Sequence, residues 1–400
     1  MENRQWASLE VGARSSCAFV SLLYGTGSHF LDALVLGYSL KEAAVEQDTV
    51  LLHLGKLTVH QRKALECVWS HLVEIEDNEI FERASKNVKN TFEGSRYQHV
   101  LCKFHALRLC EYEKVLLLDT DTFVHVDVSE VFDLPAPACQ VSRRDVAWIS
   151  GQELPVEFIM PNAPGYDGLL NTGVLLLAPS QDDFNSLIDL VVSNNKNNRF
   201  FAQPDRDYFT LFLRDRWHTL SAEYNYRPPF VEYAGSVAFG ENPMDHEVCI
   251  SHFYGVIKPS DMIFHSDKVL RAEISEVRRE LCERILEFPL LCSVESAKTS
   301  NDRFIGMHKA WLVGLHEISK IIEGRCNKPV LSMCSPEPTV LGGEYDLAQS
   351  NLAKRKARNA QLARKRRFVP ETIDREEPFK FRNSKLSALH GANTIRLKAG

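Results

Sequence analysis

Lys114-Val-Leu-Leu-Leu118-Asp119-Thr120-Asp121-Thr122 runs from four consecutive aliphatic residues straight into two carboxylates. An unbroken apolar run of strand length, with no alternation, suits a strand buried on both faces, as in a parallel sheet covered by helices. Asp119 then stands at the carboxyl end of that strand, beyond which ligands of open α/β sheets bind. In extended backbone, residues i and i+2 point the same way, so Asp119 and Asp121 can face one cation. Two hard oxygen donors with coordination positions left for phosphate oxygens suit Mg²⁺ or Mn²⁺. The same two residues could equally be a capping Asp and a solvated turn Asp. A second Asp-x-Asp, Asp205-Arg206-Asp207, occurs later in the chain.

Towards the N-terminus the pattern around this strand repeats. Cys17 to Tyr24 is another apolar run, followed by Gly25-Thr-Gly27 and by Phe30, Leu31, Leu34, Val35 and Tyr38 at helical spacing. Residues 50–54 read as a second strand, 59–69 as a second helix and 72–75 as a third strand. Residues 104–110 read as a helix leading back into Lys114. Strands alternating with helices predict βαβ units, and so an α/β fold with a mainly parallel central sheet. Beyond residue 122 the order is less regular. Strands are expected over 145–149, 173–177 and 248–252, and helices over 184–192, 208–213 and much of 266–323. The Pro-rich stretch 154–168 reads as a loop.

The composition excludes several classes. Of 400 residues, 44% are hydrophobic and 25% charged, ordinary values for a globular chain and incompatible with wholesale disorder. No apolar run approaches the roughly 18–20 residues that span a bilayer. Residues 1–16 carry Glu2, Arg4, Glu10 and Arg14 and lack the apolar stretch of a secretory signal, so a cytoplasmic protein with ten reduced cysteines is expected. The net charge of −6 argues against a nucleic-acid footprint over the whole body. The exception is residues 354–367, with eight Lys or Arg and no acid. The alanines between them suit a solvated helix, a nuclear import signal or a surface for an anionic partner.

A second cluster of chemistry is His252-Phe-Tyr-Gly255-Val-Ile-Lys258-Pro259. A neutral imidazole can complete a coordination sphere and shifts preference from Mg²⁺ to Mn²⁺. Gly255 permits close backbone approach to a phosphate, and Lys258 supplies a point charge. A partly buried structural histidine is the plainer alternative for His252.

Taken in order, these pieces resemble glycosyltransferase family 8, and within it the glycogenin-like branch. The matching segments are Phe19 to Leu22 with Ala33 to Leu40, Lys103 to Leu107, Asp119 to Thr122, Leu170-Asn171-Thr172-Gly173, Asp205 to Phe209, Tyr224-Asn225-Tyr226, and the His-x-x-Gly-x-x-Lys-Pro run from His252 to Pro259. The resemblance implies the GT-A fold, a Rossmann-like nucleotide-diphospho-sugar transferase domain over 15–265, with a helical extension over 266–330 and a tail over 331–400. It implies a retaining hexosyltransferase using a UDP-sugar. Mn²⁺, with Mg²⁺ as the alternative, would be held by Asp119, Asp121 and His252. The donor would meet Leu22, Tyr24, Gly25, Lys103, Asp119, Thr120, Asp121, Asn171, Asp205, Arg206, Gly255 and Lys258, with Asp205 the acid beside the anomeric centre. The expected acceptor is a protein-linked glycan or glucan primer, and a homodimer is expected by analogy. Two other readings are a transferase for small acceptors of the galactinol-synthase type and a GT-A binding module without activity.

The chain also departs from the family. Arg206 stands where the family has Gln, so a cationic, forked donor borders the sugar site. Ala202 replaces an Asp of glycogenins, which removes the basis for a glucose preference. Tyr226 and Tyr233 lie in the stretch where glycogenins glucosylate themselves, though neither matches the acceptor position.

Overall fold

A computed structural model describes residues 8–25, 27–75, 99–141, 149–156, 170–196, 204–227, 247–253, 258–264 and 300–334. The chain divides into Met1–Val340 and Leu341–Gly400, and every described residue lies in the first unit.

The first half builds the expected alternation: β1 (Cys17–Leu23), α1 (Ser28–Glu42), β2 (Asp48–Leu54), α2 (Val59–Leu65), β3 (His71–Ile75), a 3₁₀ segment (Val100–Arg108) and β4 (Lys114–Leu118). The short strand β5 (Thr122–Val124) follows, then β6 (Ala138–Val141), β7 (Leu170–Leu177), α3 (Gln181–Lys196), α4 (Pro204–Phe212), β8 (His218–Leu220), β9 (Ile250–His252), α5 (Pro259–Phe264) and the long α6 (Ser300–Cys326). The expected helix over 104–110 is this 3₁₀ segment, and α2 stops at Leu65 rather than Trp69. Only Ile149 of the expected strand 145–149 is described, and it lies outside any strand; most of the loop 154–168 is likewise outside the described residues.

Seven strands form one sheet in the order β3-β2-β1-β4-β7-β6-β8. All pairings are parallel except those of β7, which runs antiparallel to both β4 and β6. The fold is therefore α/β with a mostly parallel sheet, as the strand pattern predicts.

The unbroken apolar runs follow from two-sided burial. Phe19, Leu51, Leu116, Leu118, Val174 and Leu176 join a core with α1, α2 and α6, while Ala18, Val20, Val50, Val115, Leu117, Leu175 and Leu177 join a second core with the 3₁₀ segment, α3 and α4. Period-2 alternation puts neighbours into opposite cores, and both cores are apolar. No helix among the described residues is long and apolar enough to cross a membrane.

Candidate active site

The carboxyl ends of β1 and β4 open onto one edge of the sheet. Ser21 pairs with Leu118 in register, and its hydroxyl donates to the Leu118 carbonyl at 2.8 Å. Asp119, Thr120 and Asp121 form the turn from β4 into β5. Because β7 runs the other way, its amino end reaches this edge. Gly173 accepts from the Asp119 N–H at 2.8 Å, so Asn171 and Thr172 lie just past the end of β4. An antiparallel strand is thus what delivers Asn171 to the edge where the parallel strands end.

His252 arrives through the two-stranded pairing of β5 with β9, in which Thr122 opposes His252. The Phe253 N–H donates to the Asp121 carbonyl at 2.8 Å and closes a long loop onto the turn. One ligand atom each from Asp119, Asp121 and His252 lies within 4.8 Å of the others. The His252 Nε2 is 3.5 Å from Asp121 Oδ1 and 3.9 Å from Asp119 Oδ2.

Two lysines flank the cluster. Lys103 Nζ lies 2.6 Å from Asp119 Oδ1 and 2.8 Å from Asp205 Oδ2, so one ammonium joins the Asp119 turn to the start of α4. The Thr172 hydroxyl also donates to Asp205 Oδ2, at 3.1 Å. Lys258 Nζ, just before α5, lies 2.7 Å from Asp121 Oδ2. Burial works against both ammonium groups. Asp119 and Asp205 outweigh it for Lys103, and Asp121 with Asp32 outweighs it for Lys258, so both pKa values rise above the usual lysine value. Burial also opposes ionisation of Asp121, but Lys258 and then His252 hold it well below the usual carboxylate range. Burial raises the Tyr24 phenol to about 12 against the pull of Lys258 and Lys103.

The remaining expected donor residues are placed around this set. Leu22 is a core residue of β1, Tyr24 follows the strand, and Gly25 takes a positive φ of 88° that glycine accommodates without strain. Tyr24 packs on His29 with ring centroids 4.7 Å apart. Arg206 follows Asp205 on α4, half-buried, and its buried Nε takes no hydrogen bond among the described residues. Gly255, Ala202 and Tyr233 lie outside the described residues. Sequence reasoning missed Thr172 as a partner of Asp205, and it missed what Asn225 does. Asn225 is fully buried, and its side chain touches both Asn171 and His252. Only its place in the Tyr-Asn-Tyr run drew attention to it.

A family model described as glycosyl transferase family 8 matches residues 23–261. The chain belongs to glycosyl transferase family 8. This family 8 protein is 27% identical over 259 residues to an uncharacterized protein of Acanthamoeba polyphaga mimivirus, covering 65% of this chain and 87% of that one. It is 23% identical over 256 residues to glycogenin-1 of Homo sapiens, covering 60% of this chain and 61% of the human protein. Among solved structures it is similar to an active-site mutant of LgtC, at 17% identity and a TM-score of 0.46, over 67% of this chain and 95% of that one. The galactosyltransferase LgtC in complex with donor and acceptor sugar analogues gives 19% identity and a TM-score of 0.43 over the same shares. The mostly parallel α/β sheet of this family 8 glycosyltransferase is the class its sequence leads one to expect.

Proposed function

We propose that this glycosyltransferase moves a hexosyl group from a UDP-sugar, with retention at the anomeric carbon, to a protein-linked glycan or glucan primer in the cytoplasm. The observation that carries this reading is the convergence of Asp119, Asp121 and His252 at the sheet edge between two lysines. The donor set fits a divalent cation: two carboxylates offer hard oxygens, and a buried imidazole turns Nε2 towards them. Mn²⁺ bound there supplies Lewis-acid neutralisation of a diphosphate.

The chain's own residues do the rest. Lys258, kept protonated by Asp121 and Asp32, places a fixed positive charge where negative charge builds on the leaving diphosphate. Lys103 and Thr172 both engage Oδ2 of Asp205, which fixes the carboxylate plane beside the site of the anomeric carbon. Asn171 and Arg206 border the sugar, and Tyr24 and Gly25 border the uridine. The catalytic domain is proposed over 15–265, with a helical extension over 266–330, a tail over 331–400 and a homodimer as the assembly.

The test is UDP release from a panel of UDP-hexoses, with and without Mn²⁺, in the parent and in Asp121→Ala. The expected result is Mn²⁺-dependent release that falls about 100-fold or more in the variant. Equal turnover in the two proteins overturns the reading. Radiolabel recovered only in a low-molecular-weight glycoside replaces the glycan primer with a small acceptor.

A further inference from the structure

A chain of buried amides behind His252 has a direction that can be read from one backbone group. The Gly173 N–H donates to Asn171 Oδ1 at 3.0 Å. A backbone N–H can only donate, so the oxygen of the Asn171 amide is the atom facing it. The same oxygen lies 3.1 Å from the second amide, so Asn225 turns its Nδ2 to Asn171. That leaves Asn225 Oδ1 as the atom 2.9 Å from His252 Nδ1. An amide oxygen only accepts, so Nδ1 carries a proton, and in the neutral imidazole that ligates a cation the lone pair is on Nε2. Each of the three side chains is at most 5% exposed, so water does not compete for these bonds.

We infer that Asn225 is the positioning residue that fixes the tautomer and ring plane of His252, and that it links this ligand to Asn171 at the sugar side of the site. The inference rests on the metal-site reading above. The unprotonated Nε2 is the nitrogen that faces Asp119 and Asp121, so the tautomer set by Asn225 is the one able to ligate a cation. Asn171 has both lone pairs of Oδ1 engaged, by Gly173 and Asn225, and keeps Nδ2 as the group it can offer a sugar oxygen. Sugar contact and metal ligand thus stand at two ends of one polarised chain: sugar oxygen, Asn171, Asn225, His252, cation.

Two measurements test it. Long-range ¹H–¹⁵N correlation spectra of the metal-free protein, with the His252 signals assigned by loss in His252→Gln, report the tautomer directly. Recorded at a pH where the ring is neutral, the spectra are expected to show the Nδ1–H form, and the Nε2–H form overturns the inference whether or not metal binds. Calorimetric titration with Mn²⁺ then compares the parent, Asn225→Leu, Asn225→Asp and His252→Ala. Asn225→Leu, which fills the space without accepting a hydrogen bond, is expected to weaken Mn²⁺ binding about 10–100-fold, while Asn225→Asp, which still accepts from Nδ1–H but gives up the bond to Asn171, is expected to bind Mn²⁺ more tightly than Asn225→Leu. Loss in His252→Ala with unchanged affinity in a folded Asn225→Leu overturns the role of Asn225 and leaves the metal site standing. A parent that takes up no Mn²⁺ overturns the metal site itself.

Discussion

At the scale of single residues, the site depends on a missing side chain. A Cβ on Gly173 would fall 2.1 Å from His252 Cε1 and 2.6 Å from its Nδ1, with the imidazole already held by Asn225. Elsewhere in a strand, Gly→Ala tends to stabilise by restricting the unfolded chain. Here Gly173→Ala is expected to displace the ring, cutting Mn²⁺ affinity at least tenfold and destabilising the fold by about 1–3 kcal/mol, read by calorimetry and urea unfolding. A gain in stability with intact metal binding would refute the packing argument. His105 gives a pH prediction away from the site. Burial, and then the cation of Arg108 that donates to its Nδ1 at 2.9 Å, lower its pKa to about 3. The unfolded histidine titrates near 6.5, so below that value the unfolded state binds the extra proton and the folded state does not. Stability is complete above about pH 6.5 and is lost progressively as pH falls towards 3. Between pH 7 and 5 the loss from this group is on the order of 1–2 kcal/mol. His105→Gln, which keeps an acceptor for Arg108 without titrating, should flatten the fall of Tm over that interval.

At the scale of elements, α2 shows how a short helix is fixed by its ends. The Thr58 hydroxyl accepts from the Gln61 N–H at 3.2 Å, and Gln61 Oε1 accepts from the Thr58 N–H at 2.9 Å, a reciprocal cap. Gln61 Nε2 also donates to the Met333 carbonyl at 2.9 Å, which ties the segment after α6 to the cap. Thr58→Ala should cost about 1 kcal/mol of unfolding free energy in urea and leave UDP release unchanged, since the cap's bonds run between Thr58, Gln61 and Met333 and reach no residue of the Asp119 turn. The apolar runs of β1, β2, β4 and β7 were legible because two-sided burial leaves unbroken aliphatic stretches. That same burial hid the direction of β7, since a strand apolar on both faces reads alike in either sense. The three-residue strand β5 is too short to carry a period, while β9 occupies the last three residues of the strand expected over 248–252. The far end of α2 was misjudged because the N–H groups of Cys67 and Val68 reach back only three residues, to the Ala64 and Leu65 carbonyls, so the helix closes in turns before Ser70 pairs with Thr49 at the start of β2.

At the scale of the whole first unit, the local part of the site could be read and the distant part could not. Asp119 and Asp121 are neighbours on one turn, so strand and spacing alone suggested them. Lys103, Asp205 and the His252–Lys258 run come from three other segments; that run by itself suggested a metal ligand and a phosphate-binding lysine, but only the ordered resemblance to a family joined the three to that turn. The Asn171–Asn225–His252 chain lay beyond both approaches, because its polarity depends on which atoms meet across the fold. What holds these segments in place is a support running from α6 through α1. Met307, Trp311, Ile318 and Ile322 of α6 share a core with Phe30, Leu31 and Leu34 of α1, and Ser39 of α1 accepts from the Val124 N–H of β5 at 3.1 Å. β5 in turn holds His252 through β9. Trp311 is fully buried, so Trp311→Ala is expected to cost about 3–5 kcal/mol. Because α6 shares the core of the sheet, the loss should appear as one urea transition at lower midpoint with the same slope. Trp311→Phe should cost much less, since the indole N–H it removes has no hydrogen-bond partner among the described residues. An early separate transition in Trp311→Ala, with the main one unmoved, would show instead that α6 unfolds independently of the sheet and does not brace the site.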